Sequence, residues 1–408
     1  MLRIIPPLHF LMIETRPFRV PTRVVMAPGC LAQLPEVIAG YHPDRVLMVT
    51  DSGIEETGWP ERIWKALAER EIEAITFDGV EPNPRTTTVD KLAGWGREEG
   101  VSLVLGIGGG SVLDAAKAAA MMIPNGGQQD LKALEDPRAL ASTEGVSVAQ
   151  FEGRNRYEKE PLPFIAVPTT CGTGSEVTWV SVLTDEERQA KISVKGETMY
   201  PSWALVDCEL LRTLPGHLVA WTGADALTHA VEAFTCRLAN PISDALASTA
   251  ISLLFRYLRR AAADIAGDAE AREAVMRAST LAGLAFGNAD VAAVHCLSET
   301  LGGRWDVPHG LANAVLLAPV TRFNLPASAR KLAHLESALP PGSRPGAEGV
   351  LQAIDDLVRD LEIPPFRELG ISAEDYPWIA GRAVGNGSNS SNAREMGVAE
   401  YLAVLESL

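Results

Sequence analysis

The chain is poor in the residues that staple, membrane-embed or nucleic-acid-binding proteins need. It has five cysteines in 408 residues: Cys30, Cys171, Cys208, Cys236 and Cys296. They are odd in number and scattered, and none forms a C-x-x-C pair. They therefore offer no disulfide framework and fit a reducing, cytoplasmic setting. Basic residues are outnumbered, 36 Lys and Arg against 52 Asp and Glu, for a formal net charge of −16. With no polybasic run, this argues against a nucleic-acid surface. No apolar stretch approaches the roughly eighteen residues of a membrane span. The N-terminal MLRIIPPLHFLMIETRPF is apolar but interrupted by Pro6 and Pro7. It lacks the apolar core and small-residue cleavage site of a signal peptide, so residues 1–17 read as an extension.

What is present suits a large globular chain with a soluble surface. The length exceeds one small core, and a hydrophobic content of 47% supplies a sizeable interior, so two domains are expected. Over 18–213, short apolar runs alternate with amphipathic stretches. Strands are expected at 45–51, 73–80, 101–110 and 162–170, with helices at 59–70, 87–100 and 111–122. This order implies an α/β domain with a parallel sheet covered by helices. The polar stretch 124–161 reads as a long excursion, a lid or an interface loop, with a short helix at 130–136. Over 214–408 Ala- and Leu-rich helices dominate, at 217–238, 241–265, 269–287, 290–302, 310–323 and 347–361, giving an all-helical domain. Pro215 and Gly216 punctuate the change.

Two loops carry phosphate-binding chemistry. In GIGGGSVLDAAK, Gly108 to Gly110 lie between a strand and a helix. Free N–H groups and the helix dipole there favour a pyrophosphate, and glycines permit close approach. The equal alternative is a tight turn with Ser111 as N-cap and Asp114 closing a capping box. PTTCGTGSE (168–176) follows a second strand and offers hydroxyl and backbone donors, or is simply a solvated turn. Two such loops at one sheet edge point to a nucleotide, because ligands bind at that edge. Asp51, ending RVLMVTD, either accepts from ribose hydroxyls, favouring NAD over NADP, or caps a helix.

Only seven histidines exist, and three of them fall in the second half as candidate ligands: His229 in GADALTHAVE, His295 in VAAVHCLSE and His309 in DVPHGLAN. Asp225 stands four before His229, so both share one helix face and can chelate one ion. Three imidazoles and a carboxylate suit Fe²⁺ or Zn²⁺ and suit Mg²⁺ or Ca²⁺ poorly.

The chain resembles the iron-containing (group III) alcohol dehydrogenases. The likeness runs from about residue 18 to 380 through D-G-V-x-P-N-P at Asp78–Pro84, GGGSVLDAAK, PTTCGTGSEVT, GADALTHAVE and PHGLANAVLLAPV. It implies a dehydroquinate synthase-like pair of domains with cofactor and metal meeting in the cleft, NAD(P)-linked chemistry on primary alcohols or aldehydes, and a homodimer. It implies Asp225, His229, His295 and His309 as metal ligands, with Fe²⁺ preferred and Zn²⁺ acceptable. It places Gly109, Gly110, Ser111 and Asp114 on the pyrophosphate, and Asp51, Asn83, Thr169, Thr170, Thr173, Ser175 and Lys191 along the dinucleotide. NAD(H) is favoured over NADP(H).

The sequence departs from that family at Glu299, where many members carry a second histidine one turn beyond the third ligand. Three roles compete for Glu299: proton relay, extra or outer metal ligand, or solvated helix residue. A cleft-facing carboxylate is the favoured reading, with Glu299 and His309 as the catalytic candidates. SNSSNAREMG also departs from the commoner N-P-R-x-x-T ending. The implied mechanism is Lewis-acid activation of a substrate oxygen with hydride transfer at the nicotinamide. Trp305 and Val291 suggest a moderately apolar pocket. Alternatives are a maleylacetate reductase, a polyol(-phosphate) dehydrogenase, a dehydroquinate-synthase-like lyase, or a non-catalytic metal- or nucleotide-binding protein. A phosphorylated substrate would need more basic residues than Arg304 and Arg237.

Overall fold

The computed structural model describes residues 17–126 and 146–408. The helix expected at 130–136 and nearly all of the N-terminal extension lie outside the described residues. Six strands form one parallel sheet: β1 (Arg23–Met26), β2 (Val46–Val49), β3 (Ala74–Phe77), β4 (Leu103–Gly108), β6 (Phe164–Pro168) and β9 (Trp203–Val206), in the spatial order β1-β9-β6-β4-β2-β3. A smaller sheet holds β5 (Gly153–Arg154), β7 (Val180–Asp185) and β8 (Ala190–Lys195), with β7 and β8 antiparallel.

The central strands lack polar alternation because both faces are covered. The pleat sends Val46 and Met48 of β2 to one face, into a core with α1 (Leu34–Ala39) and α3 (Trp59–Ala68). It sends Leu47 and Val49 to the other, into a core with α4 (Thr86–Glu98) and α5 (Gly110–Asn125). A one-turn helix, α2 (Ser52–Glu55), follows β2. The chain moves from β2 outward to β3, then crosses back to β4 and on to β6 and β9. The strand order therefore reverses between β2 and β4, and the crevice at their carboxyl ends is where such sheets bind ligands.

From Gly216 onward the described chain contains helices and 3-10 turns and no strand. The helices are α6 (Gly216–Thr235), α7 (Pro241–Ala263), α8 (Ala269–Gly287), α9 (Ala293–Trp305), α10 (His309–Leu332), α11 (Gly346–Asp360), α12 (Tyr376–Val384) and α13 (Val398–Glu406). Helix α6 packs against α7, α8 and α10 at the centre of this half. Helix α10 outruns the expected 310–323 because the helix continues through Pro319 and Pro326.

Asp90 on α4 ties down the end of the polar excursion by accepting from Val148 N–H at 2.7 Å. Burial raises its pKa from 3.8 to about 6, against the lowering effect of Ser147, Val148 and Arg97. The folded state therefore takes up a proton near pH 6, whereas the unfolded chain does so only near pH 3.8. Stability from this group rises as pH falls through that window, and the charged-form penalty, about 3 kcal/mol at most, is fully present above it. Asp90→Asn keeps an acceptor for Val148 and should raise the thermal midpoint at pH 8 but not at pH 4. An equal gain at both pH values would show that charge burial is not the cause.

Candidate metal and dinucleotide site

Four side chains from three helices converge. Asp225 and His229 lie one turn apart on α6, His295 lies in the first turn of α9, and His309 opens α10. Each offers one ligand atom, and these atoms all lie within 4.8 Å of one another. Three of the residues are buried, and the His309 side chain is 32% exposed. Helix α9 begins at Ala293, three residues later than expected from sequence, because Glu232 of α6 caps it. Its carboxylate accepts from the N–H groups of Ala292 (2.8 Å) and Val294 (2.7 Å). Its Oε2 also lies 2.6 Å from His295 Nδ1. That contact puts the His295 proton on Nδ1 and leaves the Nε2 lone pair facing the cluster.

The donor set fits a cation. Asn313 Nδ2 lies 2.6 Å from Asp225 Oδ1, 3.2 Å from His295 Nε2 and 3.1 Å from His309 Nε2. One amide nitrogen has two hydrogens, so it cannot satisfy three acceptors. His229 Nδ1 is buried with no hydrogen-bond partner, and its ring stacks on Phe286 with centroids 4.3 Å apart. Burial is the largest influence on His229 and His309, pushing the first well below its usual pKa and the second down to about 3. Both imidazoles are therefore neutral and able to donate lone pairs at physiological pH. Burial would lower His295 as well, but the Glu232 hydrogen bond and carboxylate charges outweigh it and raise its pKa. Excess lone pairs around one point, with a carboxylate among them, are what a divalent transition metal satisfies.

The second half of the site lies at the reversal point of the parallel sheet. Asp51, two residues past β2, caps α2, accepting from Ile54 N–H at 2.9 Å. Gly109, not Ser111, is the N-cap of α5, and its backbone is extended. The capping box expected between Ser111 and Asp114 does not form. Asp114 instead reaches sideways, accepting from Ser175 Oγ (2.6 Å) and Val182 N–H (2.9 Å). That frees the first turn of α5, with Gly110 and Ser111, to present backbone N–H groups. A Cβ at Gly110 would stand 2.4 Å from Thr173 Cγ2, so the two glycine-rich loops touch.

Lys117, one turn past Asp114, is 1% exposed and locks the second loop in place. Its ammonium donates to Ser175 O (2.9 Å), Ser175 Oγ (2.8 Å) and Val180 O (2.7 Å). Burial brings its pKa down to about 8. On the far side of that loop, Gly174 sits at φ 60° against Gly283 of α8, where a Cβ on Gly174 would be 2.5 Å from Gly283 Cα. Thr169 continues β6 through its N–H bond to Gly108 O (3.0 Å). Thr170 lies beside Gly109, whose Cβ, if present, would be 3.0 Å from Thr170 Cγ2.

Residues 21–208 match the family described as "Iron-containing alcohol dehydrogenase", and residues 219–408 match "Fe-containing alcohol dehydrogenase family, C-terminal". The chain belongs to the iron-containing alcohol dehydrogenase family. It is 36% identical over 396 residues to the 1,3-propanediol dehydrogenase of Klebsiella pneumoniae, covering 95% of this chain and 97% of that one. It is 35% identical over 378 residues to alcohol dehydrogenase 4 of Schizosaccharomyces pombe, covering 92% and 85%. The solved structure of a 1,3-propanediol oxidoreductase superposes with a TM-score of 0.86 at 36% identity, covering 96% of this chain and 100% of that chain. The protein is accordingly a metal-dependent alcohol dehydrogenase.

In this alcohol dehydrogenase the two halves of the site are clasped by polar contacts. Asn83 Nδ2 donates to Asp306 Oδ1 (2.7 Å), and Lys191 Nζ donates to Asn83 Oδ1 (2.7 Å). Arg85 pairs with Asp306 Oδ2 at 3.3 Å. Asn83 and Asp306 both hold a left-handed backbone, φ 55°. Burial lowers the Lys191 pKa to about 8 against the opposing charges of Glu299 and Asp306. Glu299 stands apart from the four-residue metal cluster, with its Oε2 taken by Asn386 Nδ2 at 2.6 Å. Trp305 meets Trp378 edge-on, with centroids 5.7 Å apart. Arg304 lies over both rings and pairs with Asp375 at 3.4 Å.

Glu232, Asn313, Lys117, Asp306 and Asn386 were not singled out from sequence. Helical spacing carried a signal for two of them. Glu232 is two turns after Asp225, and Asn313 is one turn after His309, so each repeats the face of a suspected ligand. The other three act across elements distant in sequence and left no local signal.

Proposed function

We propose that this dehydrogenase moves a hydride between NAD(H) and a primary alcohol or aldehyde whose oxygen sits at the Asp225–His229–His295–His309 centre. The observation that supports this reading is the convergence of those four donors within 4.8 Å of one another, with α6, which carries two of them, meeting the second glycine-rich loop where Cys171 Sγ lies 3.4 Å from Thr222 Oγ1. Fe²⁺ is the metal proposed for them, with Zn²⁺ acceptable to the same donors. A divalent cation held there supplies Lewis acidity to the substrate oxygen. Glu232 fixes the tautomer and angle of His295, and Asn313 steadies the Asp225 carboxylate. His309, the most exposed of the four, marks the side from which substrate arrives.

The first turn of α5, with Gly109, Gly110 and Ser111, is proposed to bind the pyrophosphate through backbone N–H groups. Thr169, Thr170, Thr173 and Ser175 line the neighbouring loop, with Asp114 bracing it. Lys191 and Asn83 face the metal side of the dinucleotide, and Asp51 just past β2 supports NAD over NADP. The division at 213/214 belongs to the same proposal, supported by the change from sheet to helices between Val206 and Gly216. So do a homodimeric state and a cytoplasmic location, the latter supported by five buried, unpaired cysteines. Among the described residues no helix is long and apolar enough to cross a membrane. Arg304 is engaged by Trp305, Trp378 and Asp375, which speaks against a phosphorylated substrate.

The test is NADH oxidation with a panel of aldehydes, using protein stripped by a chelator and then reloaded with Fe²⁺ or Zn²⁺. Turnover should vanish on stripping and return on reloading. Restoration by Zn²⁺ and not Fe²⁺ would overturn the choice of metal. No turnover on any carbonyl with metal and NADH bound would leave a binding protein.

A further inference from the structure

Glu299 occupies the seam between the two halves of the site. It lies one turn beyond His295 on α9, so the two side chains share a helix face about 6 Å apart along the axis. About one turn further along the same face of α9, a Cβ at Gly302 would stand 3.3 Å from Lys191 Cε and 3.7 Å from Asn83 Oδ1, so this face lies against the proposed dinucleotide side, and the Glu299 charge opposes the effect of burial on the Lys191 ammonium. Its carboxylate is aimed: Asn386 Nδ2 holds Oε2 at 2.6 Å, while Asn386 Oδ1 is itself fixed by Ser388 N–H at 2.9 Å. The segment carrying Asn386 is anchored in turn, because Ser388 Oγ (3.2 Å) and Ser391 Oγ (2.6 Å) both donate to Asp290, just before α9. The other oxygen, Oε1, has no hydrogen-bond partner among the described residues. Glu299 is only half-buried.

We propose that Glu299 is a specificity-determining residue whose Oε1 accepts a hydrogen bond from a neutral hydroxyl on the substrate, beyond its reacting carbon, with Asn386 as its positioning residue. The substrate class is then a short diol or hydroxyaldehyde rather than a plain alkyl alcohol. Charge decides between donors. A substrate anion would meet the Glu299 carboxylate. A substrate cation would meet the like charge of Lys191, which itself feels the charge of Arg85. A neutral hydroxyl meets neither objection. An alkyl chain in the same place would strip water from Oε1 and leave it unpaired, and a site built to bond a hydroxyl rejects the analogue that lacks one.

This inference rests on the dehydrogenase reading above, and the experiment separates the two. The metal-loaded enzyme is assayed with NAD⁺ on ethane-1,2-diol, on 1-propanol of similar size, and on ethanolamine as the cationic arm. Wild type should favour the diol over both in kcat/KM by about tenfold or more. Glu299→Leu should abolish that preference, chiefly through the KM of the diol. Glu299→Gln, which keeps an acceptor oxygen, should retain most of it. Asn386→Leu should weaken it while Glu299 remains in place. Metal content and the KM for NAD⁺ should be the same in all four proteins. A diol preference that survives Glu299→Leu, or a wild type that prefers 1-propanol or ethanolamine, would overturn the proposal. A raised KM for NAD⁺ in Glu299→Leu with unchanged discrimination would assign the carboxylate to the cofactor amide and overturn it equally. Absence of turnover on every alcohol would remove the dehydrogenase reading, and the proposal with it.

Discussion

His309→Ala is expected to lower metal content at least tenfold and turnover by about 10³-fold or more, with NADH binding retained. His309 is the cleanest of the four to remove. It begins α10, its side chain is 32% exposed, and its loss leaves no buried carboxylate without a partner. His295→Ala would instead strand Glu232, which is 4% exposed and would keep only its two backbone donors. Glu232→Gln provides the graded comparison. It touches no metal ligand atom directly involved at the centre, yet it exchanges the carboxylate that orients His295 for a neutral amide. Outer groups of this kind typically contribute 10- to 100-fold in metal affinity, so chelator competition should register a change of about that size. Turnover at saturating metal should fall far less than in His309→Ala. Metal analysis, chelator titration and NADH fluorescence together check the pair. Wild-type metal content and turnover in His309→Ala would mean that the cluster is not the reactive centre.

Gly174→Ala is expected to cost about 2–4 kcal/mol of stability and to weaken NADH binding. Two effects add there. The left-handed φ of 60° is one that a Cβ disfavours, and the new methyl would lie 2.5 Å from Gly283 Cα, a backbone atom that cannot rotate away. Gly283→Ala meets the same crossing from the other side, 2.8 Å from Gly174 Cα, and should behave similarly without a φ penalty of its own. Gly381→Ala is the control. It lies in α12 with nothing near the added carbon, and a helical Gly→Ala change there should stabilise by up to about 1 kcal/mol. Chemical denaturation and NADH titration of the three variants measure this. A Gly174→Ala protein as stable as wild type would show that the loop can shift away from α8 at little cost.

Much of the fold was legible because local chemistry and burial agree. The runs at 45–51, 101–110 and 162–170 have unbroken apolar centres because both faces of the sheet are covered, and those centres are β2, β4 and β6. The C-terminal helices followed their Ala and Leu periodicity. The small sheet went unread, although Ala190–Lys195 alternates buried and half-exposed positions along β8. β7 and β8 form a hairpin through residues 186–189, a turn without the Asn-Gly or Asp-Gly signal of tight hairpins, while the two-residue β5 that joins β8 from inside the polar excursion is paired non-locally. At the site, the four residues of the candidate metal cluster were readable as residue types, two of them at helical spacing. The side chains that orient them were less so. Asp114 shows why: a carboxylate three residues after a serine matches a capping box, yet tertiary partners on the neighbouring loop and on β7 took it instead.

If the Ser175 loop receives the dinucleotide as proposed, the buried ammonium of Lys117 bears on how it does so. Three strong hydrogen bonds, all donated from one rigid helix, leave the loop around Ser175 a single arrangement that satisfies the charge. The loop is thereby ordered when the chain folds rather than when a dinucleotide arrives. The entropy of organising that wall is already lost in the free enzyme, so it is not subtracted from cofactor affinity. The proposed nucleotide side would then act as a fixed mould, leaving adaptation to different substrates to the proposed Asn386–Glu299 pair.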